Sequence, residues 1–187
     1  MKRSIQLFIL FSALAVPMVL PAQRLFTRDA KVKFDATSNG SPERVDAINK
    51  SGTLVVDVAS GRVESAVLIS NFLFEKALMQ EHFNENYMES SKYPKATFKG
   101  KIEDPSKVNF NQDGTYSPML VGDLTVHGVT KQVKVPATIQ VKGGKVTAST
   151  AFDVPLSDYG ISIPSVVSDK LAKQAKISID SALEPMK

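Results

Sequence analysis

The stretch MLVGDLTVHGVTKQVKVPATIQVKGGKVTASTAFDV, Met119 to Val154, carries two tight turns that fix a register. Around His127-Gly128 the flanks fold back so that Val126 faces Val129 and Leu120 faces Val135. Polar Asp123 and Thr125 then meet Gln132 and Thr130 on the other side. Around Gly143-Gly144, Val141 falls opposite Val146, Val135 opposite Phe152 and Val133 opposite Val154. Two-residue turns containing Gly are strong hairpin signals, and period-two alternation marks half-buried strands. Both hairpins put Val133 and Val135 on one face, so three strands share an apolar side and a polar side. The expected object is a curved antiparallel sheet with one apolar face.

The same alternation extends outward. Val32, Phe34 and Ala36 share a face within Lys31 to Ala36, and Ser38-Asn39-Gly40-Ser41-Pro42 ends that strand. Leu54, Val56 and Val58 form the next apolar row, and a two-residue turn at Ser60-Gly61 would set Val58 against Val63 and Leu54 against Val67. Val55, Ala66 and Leu68 make that hairpin apolar on its other side as well, so a loop or neighbouring element is expected to cover it. Leu78, Met79, His82, Phe83, Asn86 and Tyr87 recur at helical spacing, which predicts one short helix near residues 76–88, docked through that stripe. Strand pattern resumes at Thr97, turns at Asn111 to Gly114, breaks up between Pro155 and Ala172, and ends with Ala175, Ile177 and Ile179 on one face. Short strands, frequent turns and a single helix predict a mainly β fold, a closed or nearly closed antiparallel up-and-down barrel. A two-sheet sandwich is the alternative, because alternation does not report closure.

Lys2 and Arg3 precede an apolar run from Ile5 to Leu20 that ends Pro21-Ala22-Gln23, the pattern of a secretory signal peptide over residues 1–22. The run is short for a membrane span, so no stable anchor is expected after cleavage. The remaining residues 23–187 fit one exported domain, periplasmic or secreted. The chain has no Cys, which excludes disulfides, thiolate metal sites and thiol chemistry. The formal charge of +4 falls by two once the signal is removed. With no Trp and no dense basic cluster, nucleic acid is not an expected partner.

Several segments together resemble the YceI-like family of bacterial periplasmic proteins. They are His82-Phe83-Asn84, Lys92-Tyr93-Pro94-Lys95-Ala96-Thr97-Phe98, the block Gly122-Asp123-Leu124-Thr125-Val126-His127-Gly128-Val129-Thr130-Lys131, and Phe152 with Asp158-Tyr159-Gly160-Ile161. The resemblance covers nearly all of residues 23–187 in order. It implies a lipocalin-like barrel of about eight strands that holds an amphiphile with a polyisoprenoid tail. No cofactor beyond such a bound isoprenoid-type lipid is implied.

An eight-strand barrel either fills its interior with side chains or leaves room for one small ligand. The inward rows mix large Phe34, Phe98, Leu120, Leu124, Val135 and Phe152 with small Ala36, Ser65, Gly100, Gly122, Ala137, Ala148 and Ala175. The small residues line a tunnel, or they serve strand curvature and pack beneath Phe rings. On the tunnel reading, Gly122→Leu lowers ligand uptake more than stability. Phe72, Phe74, Leu78, Met79 and Phe83 form a mouth or lid, or simply the core-facing side of the helix. Ile161 joins the apolar lining through the downstream motif. A phosphate headgroup would meet Lys92, Lys95 or Lys170 near loop ends.

Catalysis has weaker support. His82 and Glu85 offer two metal ligands at helical spacing, but no third ligand completes a site, and no metal is expected. Asp57 and Glu64 would face each other on the outer face if the Ser60-Gly61 register holds, where neighbouring lysines explain them better than acid–base work. His127 sits in a turn, and Ser157-Asp158 lacks a nucleophile elbow. The expected function is carriage or storage of a hydrophobic amphiphile without chemistry. A protein-binding adaptor with a packed barrel, docking through Thr53 to Leu68, is the alternative, and a metal- or carboxylate-dependent hydrolase stands third. A homodimer remains open.

Overall fold

The computed structural model describes residues 24–186. The signal-peptide stretch lies outside the described residues. Ten strands follow in order: β1 (Arg24–Thr37), β2 (Asp46–Asp57), β3 (Arg62–Leu68), β4 (Leu73–Phe74), β5 (Lys95–Ile102), β6 (Gly114–Tyr116), β7 (Met119–Val126), β8 (Val129–Lys142), β9 (Lys145–Pro155) and β10 (Leu171–Pro185). Among the described residues one α-helix, α1 (Ala77–His82), lies between β4 and β5 and continues as a π turn over Phe83–Tyr87. All pairings are antiparallel, in the cyclic order β1-β10-β9-β8-β7-β5-β3-β2, and β2 returns to β1. Eight strands therefore close a barrel, and the short β4 and β6 hang on β2 and β8. The sandwich alternative is excluded.

The His127-Gly128 hairpin has the expected register throughout, from Val126 opposite Val129 to Leu120 opposite Val135. Both turn residues have positive φ, 50° and 75°, as do Gly143 and Gly144, the geometry whose twist matches that of paired strands. On the outer face the Thr125 and Thr130 hydroxyls meet at 2.8 Å.

Two expected registers need correction. Val141 does face Val146, but the β8–β9 ladder ends at Ala137 opposite Thr150. Val135–Phe152 and Val133–Val154 are not paired. Beyond Pro136, which has no N–H to donate, β8 keeps only β7 and β9 keeps only β10. At the other hairpin, Val56 faces Val63 and Leu54 faces Ser65, two residues away from the expected partners. The Asp57 carboxylate accepts from the Ser60 N–H at 2.9 Å and its hydroxyl at 2.8 Å, which builds a longer turn. An even shift preserves which face each side chain occupies. It also separates Asp57 from Glu64, which instead lies opposite Val55 and Lys99. The proposed carboxylate pair does not exist. The outer apolar side of this hairpin is met by Phe26 of β1, opposite Val55, rather than by a loop.

Chain direction assigns every connection to one of two ends. The floor end carries the Val58–Gly61 turn, the segment between β5 and β7, and the Gly143-Gly144 turn. It is packed by Leu25, Val56, Val63, Ile102, Val108, Val141, Val146 and Leu183. The lid end carries the segment from Ile69 to Pro94, the His127-Gly128 turn and the residues between β9 and β10. Its core joins Ile69, Phe72, Phe83 and Met88 to Leu156, Tyr159 and Ile161. Phe98 packs against both clusters, at the waist.

Candidate functional site

Between the packed ends lies an apolar lumen. Its cavity volume is about 180 Å³, and it opens to solvent. One water needs only about 10–15 Å³, so this interior is not filled by its own side chains. Inward positions of every barrel strand line it: Val32 and Phe34 from β1, Leu54 and Val56 from β2, Ser65 and Val67 from β3, Ala96 and Phe98 from β5. Leu120, Leu124 and Val126 of β7 continue the wall, followed by Val133, Val135, Ala137 and Ile139 of β8. Phe152 and Val154 of β9 and Ala175, Ile177 and Ile179 of β10 complete it.

Nine of the residues singled out from sequence reach this wall, namely Phe34, Phe72, Phe83, Phe98, Leu120, Leu124, Val135, Phe152 and Ile161, and Phe74 lies in the ring cluster behind them. Phe34, Phe72, Phe74 and Phe83 form an aromatic lid, with Phe74 and Phe83 centroids 4.9 Å apart and Phe34 and Phe83 5.3 Å apart. Such tilted and edge-on pairs are favourable beyond their buried area.

Three other positions are corrected. Leu78 is 61% exposed and Met79 is only half-buried, and neither lines the lumen. With Phe83 inward, Leu78, five residues earlier on an α-helix, falls on the far side, while beyond Phe83 a π turn, in which the Met88 N–H donates to the Phe83 carbonyl at 2.9 Å, brings Met88 inward. A search at α-helical spacing misses Met88. Gly122 is not on the wall either. It pairs with Gly100 across β5 and β7, and an added Cβ would come within 2.5 Å of the Lys99 carbonyl. A Cβ at Gly100 would lie 2.6 Å from the Phe98 ring. These two glycines let the strands approach and seat that ring. Ser65, Ala137, Ala148 and Ala175, by contrast, do line open space.

The lysines do not converge. Lys92 lies over the Tyr93 ring at 4.8 Å, and the contact raises its pKa. Lys95 begins β5, whereas Lys170 precedes β10, on the opposite side of the barrel with three strands between them in either direction. Lys170 instead bonds Glu43 at 3.3 Å, and Lys76 bonds the other Glu43 oxygen at 2.7 Å. This clasp joins the β1–β2 loop, the start of the helix and the approach to β10. Hydrogen bonds from Lys76 and then Lys170 hold the Glu43 carboxyl below its ordinary pKa. A carboxyl depressed by folding contributes stability at neutral pH that is lost as pH falls through its folded value. Glu43→Gln is therefore expected to flatten the fall in melting temperature below about pH 4. Parallel melting curves for the two proteins across acid pH would show that the clasp does not form in solution.

The second lid-end cluster centres on His127, whose side chain is 13% exposed. Its Nδ1 lies 3.1 Å from the Tyr159 carbonyl, its Nε2 lies 3.0 Å from Glu89 Oε2, and Tyr93 meets it edge-on at 4.7 Å. Burial, and then Asp158, push the Tyr159 phenol above its ordinary pKa. Among the described residues, no three His, Asp or Glu side chains are grouped to hold a metal ion.

The YceI-like domain model matches residues 24–183. No curated protein matches the sequence significantly. A polyisoprenoid-binding domain from Saccharophagus degradans, implicated in plant cell wall breakdown, has a similar structure. Its TM-score is 0.74 at 10% identity, over 88% of this chain and 99% of that one. BcnA of Burkholderia cenocepacia superimposes with a TM-score of 0.66 at 17% identity, over 83% and 96% of the two chains. The YCEI protein of Campylobacter jejuni gives 0.60 at 20% identity, over 79% and 88%.

Proposed function

This chain belongs to the YceI-like domain family, and from that premise we propose that it is an exported carrier holding a hydrophobic amphiphile, of polyisoprenoid type, in its barrel without transforming it. The observation that supports this reading is the apolar lumen itself, walled from all eight barrel strands and far larger than one water needs. Burial of apolar carbon contributes about 0.8 kcal/mol per methylene, so a tail of a few isoprene units offsets the loss of freedom on association. The site asks for shape and dryness rather than for an acid, a base or a metal. The polar end of the guest would remain at the lid end, where Lys92 and Lys95 stand on one side and Lys170 on the other.

The test is native mass spectrometry of protein purified from its host, followed by organic extraction. The expected result is a mass increment that disappears on extraction and yields a prenyl lipid. Recovery of unmodified mass alone, together with failure to take up added prenyl lipid, would sink the reading.

A further inference from the structure

We propose that the guest enters and leaves through the side wall between the lid-end halves of β8 and β9, beneath the Leu156–Ile161 segment, and that His127 latches that segment closed. This rests on the lumen being a ligand site, and it concerns the route rather than the occupant.

The wall is unzipped there. The Ala137 N–H donates to the Pro118 carbonyl at 2.9 Å, away from β9. Strand backbone groups alternate in direction, so those of Thr130, Gln132 and Lys134 point toward β9. The β8–β9 register stops at Ala137 and Thr150, and no strand meets them. Ala151 and Asp153 present the matching free edge of β9. Side chains from the two edges, Val133, Val135, Phe152 and Val154, line the lumen instead of closing a ladder.

A single turn covers the gap. Leu156, Tyr159 and Ile161 are buried over it, but its backbone bonds are internal, from the Ile161 N–H to the Leu156 carbonyl at 3.1 Å and from the Gly160 N–H to the Ser157 carbonyl at 3.2 Å. Its tie across the gap is His127. A carbonyl only accepts, so Nδ1 carries the proton in the bond to Tyr159. Nε2 faces Glu89, which links the flap through the same ring to the helical segment. Opening elsewhere breaks more. The β1 ladders shift register around Ala30 but resume on both sides of it, and the axial route is blocked by four Phe rings and the Glu43 clasp.

Stopped-flow fluorescence with cis-parinaric acid separates rates from affinity. His127→Asn suits the left-handed backbone at that position and does not span to Tyr159. It is expected to speed both uptake and release about tenfold, with equilibrium affinity changed less than about twofold, because a latch acts on the barrier and not on the bound state. Phe74→Ala, which thins the axial lid, is expected to change both rates less than His127→Asn does. Acceleration by Phe74→Ala with none by His127→Asn overturns the side route and favours the axial one. Absence of probe binding in all three proteins overturns the ligand site as well. In the unaltered protein, hydrogen exchange reads the seam directly. The amides of Thr130, Gln132 and Lys134 are expected to exchange at least about a hundredfold faster than those of Lys131 and Val133, as unpaired strand amides do. Equal protection overturns the proposal even if His127→Asn fails to fold.

Discussion

Gly122→Leu is expected to abolish cooperative folding of the barrel. Gly122 and Gly100 face each other across β5 and β7, and the space a side chain would need is held by backbone: the Lys99 carbonyl lies 2.5 Å from an ideal Cβ. A flexible neighbour swings aside at small cost, but here the strand itself must move, and Phe98 rests on the same pair. Overpacking of a well-formed core costs roughly 1–3 kcal/mol when side chains give way, and more when they do not. Urea denaturation followed by circular dichroism is expected to show loss of most of the stability, or no folded baseline. Gly122→Ala is expected to lose a smaller but clear fraction. A Leu variant that melts like the parent protein and merely binds lipid less well would restore the tunnel role for Gly122.

Ala137→Phe is expected to cut lipid uptake by at least about a hundredfold while leaving the barrel folded. Ala137 is buried on β8 and points into open space, so a ring there fills the lumen rather than striking backbone. Filling a cavity with apolar carbon restores lost dispersion contacts, so stability is expected to hold or rise by up to about 1 kcal/mol. Phe152→Ala is the reverse change. It widens the lumen next to the seam, costs about 2–4 kcal/mol because Phe152 is half-buried, and is expected to admit bulkier guests. Thermal melts and titration of a fluorescent prenyl probe give both quantities. Unchanged affinity in Ala137→Phe would mean that the guest sits outside the barrel.

Much of this was legible in the linear sequence, for reasons that also mark its limits. Period-two alternation is a local property, so it sorted Val133, Leu124 and Phe152 to the correct face wherever their partners lay. It survived a two-residue error at the Asp57 turn because parity, not register, decides the face. Three features were hidden because each depends on something remote or irregular. The parting of β8 from β9 depends on which neighbour each half of a strand meets in three dimensions, which Pro136 alone does not reveal. The Gly100–Gly122 contact joins strands separated by a long irregular segment. Met88 is aimed inward by a single π turn, which no regular periodicity reports. The first half of β1 was missed because register shifts beyond Phe26 interrupt its alternation.

The barrel is sealed by its two extremities. β1 is hydrogen-bonded on one side to β2 and on the other to β10, and the Met186 N–H donates to the Arg24 carbonyl at 2.7 Å. The earliest strand must therefore wait, half-satisfied, for the latest one to arrive. Pairing so distant along the polypeptide is slow, and every nascent or truncated form ending before Leu171 exposes two raw margins prone to clumping. Acquisition of the native state is thus all-or-none and waits until β10 has been synthesised.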